Sequence, residues 1–341
     1  MSIPRTRAAA ANLGSVPPRL RDGLAVFALD GNRVRIGLAD PVVLEGLSSE
    51  EAAFVARLEE ASACTSADVA RYEHVIRRLD LHGLLAHRGT SSPPGTASSG
   101  EGTGTGTGTW HATVCVVGAD DLAMAIGLCL AQAGVRRIEF EDAKPAAAAT
   151  PVTMVAGVTR AHRAARAING WVPHAAHVAG AGSSCRSPDV TVIVASGSPD
   201  LALVSDLMAA DQPHLPVITD ERGVTVGPFV IPGAGPCLTC LGISRTEADA
   251  DWPLVALQCN GSRPTHASAA VRALTAGVAC DSVVRFLDGG GSDARQWRAE
   301  SRTNGDGPRL TERVVRTHPS CRCSNPLVRG DDLEDQQAIL F

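Results

Sequence analysis

Four cysteines at two short spacings carry the clearest chemical signal in the sequence. Cys237 and Cys240 form a CxxC motif, and Cys321 and Cys323 form a CxC motif. Two close pairs of thiolates are ligands that tetrahedral zinc prefers, and a closed set of four leaves no open position. The spacing therefore predicts a structural zinc that clips the C-terminal end to the loop with the first pair. Two disulfides or four unliganded thiols are the alternatives, and His318 could replace one ligand.

The second candidate site is the first predicted strand-to-helix turn, at residues 118–123. Nucleotide-binding folds have G-x-G-x-x-G there, and this chain has Gly118 at the first position and a tolerated Ala123 at the third. Asp120 replaces the glycine that would let the backbone approach phosphate. Asp120 and Asp121 suit the cap and first turn of a helix, and both would repel a polyphosphate. The turn therefore predicts a Rossmann-like sheet without a competent nucleotide site.

Alternating strand and helix patterns place this turn in an α/β domain. Predicted strands cover residues 113–118, 136–142, 190–196 and 215–219, with a helix after the first and another over 199–210. This alternation predicts a Rossmann-like, doubly wound and mostly parallel sheet. A hairpin around residues 221–223, a long helix over 267–287 and two terminal strands are predicted to follow.

The N-terminal part has the pattern of a smaller module. Two alternating runs flank Asp30-Gly31-Asn32, a hairpin turn signal, and a short strand at residues 42–44 follows. Ser48 and Glu51 form a capping-box pattern at the start of a helix, and a second helix begins near Ser66. Strands followed by helices in about 75 residues predict a winged-helix-like α+β module.

Composition suggests the domain boundaries. Residues 90–109 contain no large apolar side chain and repeat Gly-Thr, which is typical of a flexible linker. The predicted organisation is an N-terminal tail at 1–15, the small module at 16–89, the linker at 90–109, the Rossmann-like domain with its four-cysteine site at 110–328, and an acidic tail at 329–341.

Several motifs carry a family resemblance. The predicted sheet, PCLTCL at 236–241, SRTEADADWPLVALQ at 244–258 and HPSCRC at 318–323 resemble the ThiF/MoeB family, relatives of the ubiquitin-activating enzymes. They resemble more closely the actinobacterial ThiF-like proteins that bind leader peptides, or partner a cyclodehydratase, in azole-forming RiPP biosynthesis (ribosomally synthesised, post-translationally modified peptides). In those proteins a PqqD-like recognition module precedes the ThiF-like domain, and residues 16–88 match that module in pattern.

The resemblance also defines what an active enzyme would need. A ThiF-type enzyme uses ATP to adenylate a C-terminal carboxylate, with a glycine loop, an acidic ribose ligand, cationic phosphate ligands and a magnesium-binding Asp. Gly118 and Asp142 match the first two, and Arg160 or Arg163 would at most substitute for the family's lysine. Residues 195–198 read Ala-Ser-Gly-Ser where the magnesium ligand is expected. Losing several phosphate-binding groups predicts a pseudoenzyme.

A catalytic thiol is a further hypothesis, because several relatives form thioesters or persulfides on a cysteine beyond the CxxC motif. Cys259 and Cys185 are the candidates. Neither has a neighbouring His or Lys in the sequence to lower its pKa, so an incidental thiol is the alternative.

The leading functional hypothesis is a non-catalytic scaffold that grips a peptide and presents it to a modifying enzyme such as a YcaO-type cyclodehydratase. The peptide would add a strand to the small module's sheet. The alternative is an active, ATP-Mg-dependent adenylyltransferase acting on the C-terminus of a small carrier protein. A nicotinamide-dependent oxidoreductase is a third hypothesis. Asp120 in the phosphate turn and the four-cysteine site both argue against it. The resemblance also implies a homodimer.

Composition argues against other classes of partner. The net charge is −5 and aromatic residues make up 3% of the chain, so neither a basic field nor stacking platforms for nucleic acid are expected. The apolar run at residues 122–135 is 14 residues long, short of the roughly 20 that a bilayer span needs. The N-terminus has no continuous apolar segment typical of a secretion signal, so a cytoplasmic location is expected.

Overall fold

The chain divides into two compact units, one of residues 1–36 and 41–92 and one of residues 37–40 and 93–341. The computed structural model describes residues 18–21, 23–59, 64–86, 110–142, 144, 159–179, 187–259, 267–301 and 307–323. The predicted linker and both predicted tails lie outside these residues, so the domain limits remain predictions. Among the described residues, no helix combines the length and apolar character needed to cross a bilayer.

The first unit is a small α+β structure. Its antiparallel sheet has the strand order β1-β2-β3. The elements are β1 (Val26–Asp30), β2 (Arg33–Ile36), β3 (Val42–Leu44), α1 (Ser49–Arg57), α2 (Ser66–Arg71) and α3 (Glu73–Leu81).

Local sequence signals explain most of this unit. The predicted hairpin is confirmed, and the Asp30 carboxylate accepts hydrogen bonds from the backbone N–H groups of Asn32 and Arg33 in its turn. The capping box is also confirmed, because Ser48 and Glu51 bond reciprocally at the start of α1. The single helix predicted from Ser66 is instead broken at Tyr72, which leaves the helical conformation. The Tyr72 ring stacks on Phe54 in the core, with 4.4 Å between ring centroids.

The second unit contains the large sheet. Its elements are β4 (Trp110–Val117), α4 (Asp121–Ala133), β5 (Val135–Glu141), α5 (Arg160–Asn169), β6 (Ala176–Val178), β7 (Val190–Ser196), α6 (Leu201–Ala209), β8 (His214–Thr219), β9 (Gly223–Val226), α7 (Leu238–Ala248), α8 (Trp252–Cys259), α9 (Ala269–Leu287), β10 (Arg295–Glu300) and β11 (Arg309–Val314).

The eight strands follow the order β11-β10-β9-β8-β7-β4-β5-β6. Strands β8, β7, β4, β5 and β6 are parallel, whereas β9, β10 and β11 are antiparallel. The architecture is therefore mixed α/β, with a mostly parallel sheet extended at one edge by an antiparallel segment. The chain continues from β4 to β5 on one side and from β7 to β8 on the other, so the strand order reverses between β4 and β7. In open α/β sheets, ligands bind at such a reversal.

One face of the sheet is covered by α4, α5 and α9, which build the main core. The packing under α4 is close because Gly127 lies directly over Phe140 of β5 and Ile168 of α5. A Cβ atom added to Gly127 would lie 2.6 Å from Phe140 Cζ and 2.8 Å from Ile168 Cδ1. Both side chains are almost fully buried, so neither can move away freely.

Gly127→Ala is therefore expected to destabilise the protein by about 1–3 kcal/mol through overpacking, despite the better helix propensity of alanine. Gly277→Ala in α9 is the matched control, because a Cβ atom there has no neighbour within 4 Å. The control is expected to be neutral or to stabilise by up to about 1 kcal/mol. Urea unfolding of both variants measures the difference, and equal stabilities would contradict the packing argument.

Candidate functional site

The four predicted cysteines come together at one place in the second unit. The Sγ–Sγ distances are 3.9 Å for Cys237–Cys240, 3.7 Å for Cys237–Cys321 and 3.5 Å for Cys240–Cys323. The four sulfur atoms all lie within 4.8 Å of one another, so the cluster can hold a metal ion. The first pair is not on a loop as predicted, because Cys237 is the N-cap of α7 and Cys240 lies in its first turn.

The sulfur separations fit a tetrahedral metal better than disulfides. A Zn–S bond of about 2.3 Å places the sulfur atoms of a tetrahedral site about 3.8 Å apart, whereas a disulfide needs about 2.0 Å. All four side chains are free thiols. Val230, Met208 and Leu238 pack around them and give the cluster an apolar surround.

Hydrogen bonding within the cluster favours a thiolate at Cys240. The pKa of Cys240 is lowered because Cys237, Cys321 and Cys323 hydrogen-bond to its sulfur, and the His318 backbone adds to the effect. The pKa of Cys237 is raised, because its thiol donates to Cys240. Thiolate is the form of cysteine that binds metal, so a lowered pKa at Cys240 suits a metal site.

His318 is not a member of the cluster, although its sequence position made it an alternative ligand. Its Nδ1 atom accepts a hydrogen bond from the Ser320 backbone, and its Nε2 atom is 3.0 Å from Glu247 Oε2. Both ring nitrogens are therefore engaged elsewhere.

Carboxylates occupy the candidate nucleotide turn between β4 and α4. Asp120 Oδ1 accepts the backbone N–H groups of Leu122 and Ala123, at 3.0 and 2.9 Å. Asp142 Oδ2, beyond the end of β5, accepts the N–H of Ala119 at 3.0 Å. Gly118 has a positive φ of 104°, and a Cβ atom there would lie 2.9 Å from the Val194 carbonyl oxygen, so glycine is required by the fold alone.

The two candidate phosphate-binding arginines are also paired inside the protein. Arg160 Nε lies 3.3 Å from Asp142 Oδ2, and both side chains are largely buried. Arg163 lies 3.5 Å from Asp121 at a more exposed position. The predicted residues Gly118, Asp142, Arg160 and Arg163 therefore do meet at one site, but their polar groups bond to the chain itself.

The candidate catalytic thiol of Cys259 is buried at the end of α8. It packs against Gly197, beyond the end of β7, so closely that a Cβ atom on Gly197 would lie 2.5 Å from its Sγ. This burial disfavours attack by the thiol on a peptide substrate. The other candidate, Cys185, lies outside the described residues.

Sequence reasoning missed a cavity of about 1320 Å³ on the face of the sheet opposite α9. Strands β8 to β11 form one wall of the cavity. Neighbouring residues in register share one face of the sheet, and here they are Ile218, Thr225, Arg298 and Thr311. Three of these four side chains are polar, and this face is the polar wall of the cavity. Helices α6, α7 and α8 supply the other wall. Residues on the opposite face of β9 and β10, such as Val224 and Ala299, are buried in the main core.

Five arginines line this cavity: Arg222, Arg245 from α7, Arg298 from β10, Arg313 from β11 and Arg322. The guanidinium of Arg298 bonds both oxygens of Asp220, at 2.7 and 2.9 Å, and Glu300 at 2.6 Å. The available signal was the alternation of polar residues in the two predicted terminal strands. A strand whose polar side chains all share one face indicates a solvated or polar surface on that face rather than a core.

Comparisons with known proteins give no family assignment. No family model matches the chain, and no curated protein matches it. Among solved structures, the chain is similar to Escherichia coli MccB with succinimide, at 13% identity and a TM-score of 0.48, covering 91% of this chain and 99% of that one. Another similar structure, E. coli MccB with ATP, shows 13% identity, a TM-score of 0.47 and coverages of 91% and 100%.

A heterocyclase in complex with substrate and cofactor is also similar, at 12% identity and a TM-score of 0.39, covering 92% of this chain and 40% of that one. These identities and TM-scores are too low to assign an activity. The function therefore has to be argued from the residues of the chain itself.

Proposed function

We propose that this chain is a non-catalytic, ThiF-like scaffold that binds a leader peptide and presents it to a modifying enzyme, such as a YcaO-type cyclodehydratase of RiPP biosynthesis. The family part of the proposal rests on the sequence motifs at 236–241, 244–258 and 318–323. The non-catalytic part rests on the internal pairing of the turn at residues 118–123.

That pairing removes the groups that a triphosphate would need. Phosphates bind at helix N-termini through free backbone N–H groups and the positive end of the dipole. Here Asp120 already accepts two N–H groups of α4, and Asp142 accepts a third from the preceding turn. A triphosphate would have to displace both carboxylates and approach Asp121, which costs Coulomb and hydrogen-bond energy.

Zinc is the proposed occupant of the four-cysteine cluster. Cys237, Cys240, Cys321 and Cys323 would hold it as thiolates, and a closed four-sulfur site supplies structural bridging rather than Lewis-acid chemistry. The two pairs are more than 80 residues apart in the sequence. The metal would therefore fix the start of α7 against the segment after β11.

The proposed peptide site is the edge of the small sheet in the first unit, in the manner of a PqqD-like, winged-helix-like recognition element. Strand β3 pairs with β2 on one side and is last in the strand order. Its central residue, Val43, is exposed. An extended peptide could add to this edge through backbone hydrogen bonds, with modest demands on its sequence.

The alternative function is ATP-dependent adenylylation of the C-terminus of a small carrier protein. The observation that favours it is the place of Asp142, which follows β5 beside the first turn, where an acidic ribose ligand belongs. Under this alternative, the hydrogen bond from Ala119 to Asp142 would position the carboxylate for ribose.

ATP–pyrophosphate exchange with the full chain separates the two functions. We expect no exchange above the protein-free rate and no heat of binding for ATP-Mg or NAD in calorimetry. Fluorescently labelled leader peptides of azole-forming precursors are expected to bind at micromolar concentration. Exchange that is lost in Asp142→Ala would establish the alternative. Failure of every leader peptide to bind would overturn the scaffold proposal.

A further inference from the structure

Arg245 and Arg313 are two of the arginines that line the cavity between β8–β11 and α6–α8. Arg245 stacks on Trp252, with its guanidinium carbon 3.9 Å from the ring centroid. Arg313 donates from Nε to Gln296. Within the described part of the chain, neither arginine forms an ion pair.

Asp211, Asp220, Glu300 and Glu312 are the acidic residues of the cavity lining, and two of them, Asp220 and Glu300, bond to Arg298. Asp220 binds Arg298 through both oxygens and also accepts the backbone N–H groups of Arg222 and Gly223. Glu300 accepts from Arg298 Nε. The Arg298 guanidinium therefore pairs with both Asp220 and Glu300, and neither acid forms an ion pair with Arg245 or Arg313.

The surroundings of the two arginines shift both pKa values downward. Burial lowers the pKa of Arg245, and Arg313 adds to this effect while Asp220 opposes it. Burial and the charge of Arg298 lower the pKa of Arg313. Both arginines are also exposed to solvent, so an anion that enters the cavity can reach their guanidinium groups, and added salt screens the interaction.

We propose that this cavity binds the side-chain carboxylates of an acidic peptide segment, with Arg245 and Arg313 as the recognition residues. Guanidinium groups match carboxylates through paired N–H donors, and stacking on Trp252 leaves the donor edges of Arg245 free.

The size and lining of the cavity favour a peptide over a small ion. Its volume of about 1320 Å³ exceeds the roughly 300–1,000 Å³ of small-molecule sites. Thr225, Thr311 and Gln296 offer polar groups along one wall. Met208 and Leu238 give apolar surface that an isolated phosphate could not use.

The four-cysteine cluster borders this site, because Cys237 and Cys323 also line the cavity. The cluster joins the start of α7 to the segment that follows β11. Arg245 lies on α7 and Arg313 lies on β11.

This inference goes beyond the proposed leader-peptide site, which belongs to the other unit. It also stands if the leader-peptide proposal fails, because a different probe and different substitutions test it. The overall charge of −5 makes unspecific attraction of an acidic peptide to this protein unfavourable.

The test uses the full chain and a fluorescein-labelled tetraglutamate peptide blocked at both ends, with tetraglutamine as the uncharged control. We expect tetraglutamate to bind with an affinity that falls as salt rises, and tetraglutamine not to bind at the same concentration. Arg245→Gln and Arg313→Gln are each expected to weaken binding at least tenfold. Arg309→Gln is the matched control, because Arg309 is on β11 outside the cavity lining, and it is expected to change affinity less than twofold.

Two further measurements keep the test decisive. Arg245→Lys retains the positive charge and is expected to lose less affinity than Arg245→Gln. Thermal melts show whether each variant is folded, so a loss of affinity can be separated from misfolding. Unchanged affinity in Arg245→Gln and Arg313→Gln, or no binding of tetraglutamate at millimolar concentration, would overturn the proposal. Displacement of the peptide by inorganic phosphate at equal concentration would also overturn it and assign the site to small oxyanions.

Discussion

Cys240→Ala is expected to lower the free energy of unfolding by about 4 kcal/mol or more and to abolish stoichiometric zinc binding. The side chain of Cys240 is fully buried, and its sulfur is 3.5 Å from that of Cys323 and 3.9 Å from that of Cys237. Its loss leaves three thiols and a small void. Because metal binding is linked to folding, losing one ligand of a closed site forfeits part of the folding free energy.

Urea unfolding and metal analysis of purified protein measure this effect. Cys280→Ala is the matched control, because Cys280 is also a buried thiol but lies in α9, outside the cluster. Burial raises the pKa of its thiol to about 12, so it is neutral and acts as an apolar side chain. The control is expected to cost about 1 kcal/mol and to keep one zinc per chain. Wild-type zinc content and stability in Cys240→Ala would exclude a metal clip.

Removal of the metal by a strong chelator should reproduce the effect of Cys240→Ala in the wild-type chain. The clip joins segments more than 80 residues apart, so its loss frees the C-terminal segment at one end of the cavity. Adding zinc back to the chelated wild type, but not to Cys240→Ala, should restore the unfolding midpoint. This comparison distinguishes the metal from the packing of the sulfur atoms.

Local signals were sufficient to predict much of the fold. The hairpin at Asp30 has its turn residues, β7 is mostly apolar, and α9 has a mostly apolar buried face from Val271 to Val283. Helix α5 was missed although Ala161, Ala164, Ala165 and Ile168 have helical spacing and are buried. Small alanine side chains make such a stripe easy to overlook.

Helix α7 could not be predicted in the same way. Cys240 is its only buried residue, so there is no apolar stripe to mark the helix. Its position is set by the cysteine cluster and by the stacking of Arg245 on Trp252, which are tertiary contacts.

The two candidate sites also differ in whether local sequence or tertiary contacts determine them. The metal site could be predicted because the spacing of Cys237, Cys240, Cys321 and Cys323 itself encodes a ligand set. The cavity could not, because Arg245 and Arg313 come from a helix and an edge strand that meet only in the folded sheet. The pairing of Asp142 with Ala119 and Arg160 likewise depends on how β5 and α5 pack.

The ion pair of Arg298 with Asp220 is expected to be the strongest polar interaction of the antiparallel segment. Burial lowers the pKa of Arg298, but the hydrogen bonds and charge of Asp220 outweigh this and raise it overall. The side chains are 26% and 12% exposed, so water screens the pair only in part. Arg298→Gln is expected to cost about 3 kcal/mol, because it leaves the Asp220 and Glu300 carboxylates without their cation.

A double-mutant cycle isolates the pair from the burial of each side chain. Arg298→Gln, Asp220→Asn and the double variant should give a coupling energy of about 2 kcal/mol in urea unfolding, because the bond has two N–H donors on one carboxylate. Arg137 and Glu139 on β5 are the matched control, with the arginine 56% exposed. Their coupling is expected to stay below about 1 kcal/mol. Equal coupling energies in the two cycles would mean that water screens the Arg298–Asp220 pair as strongly as it screens an exposed ion pair. Arg245 and Arg313 would then attract an anion only weakly.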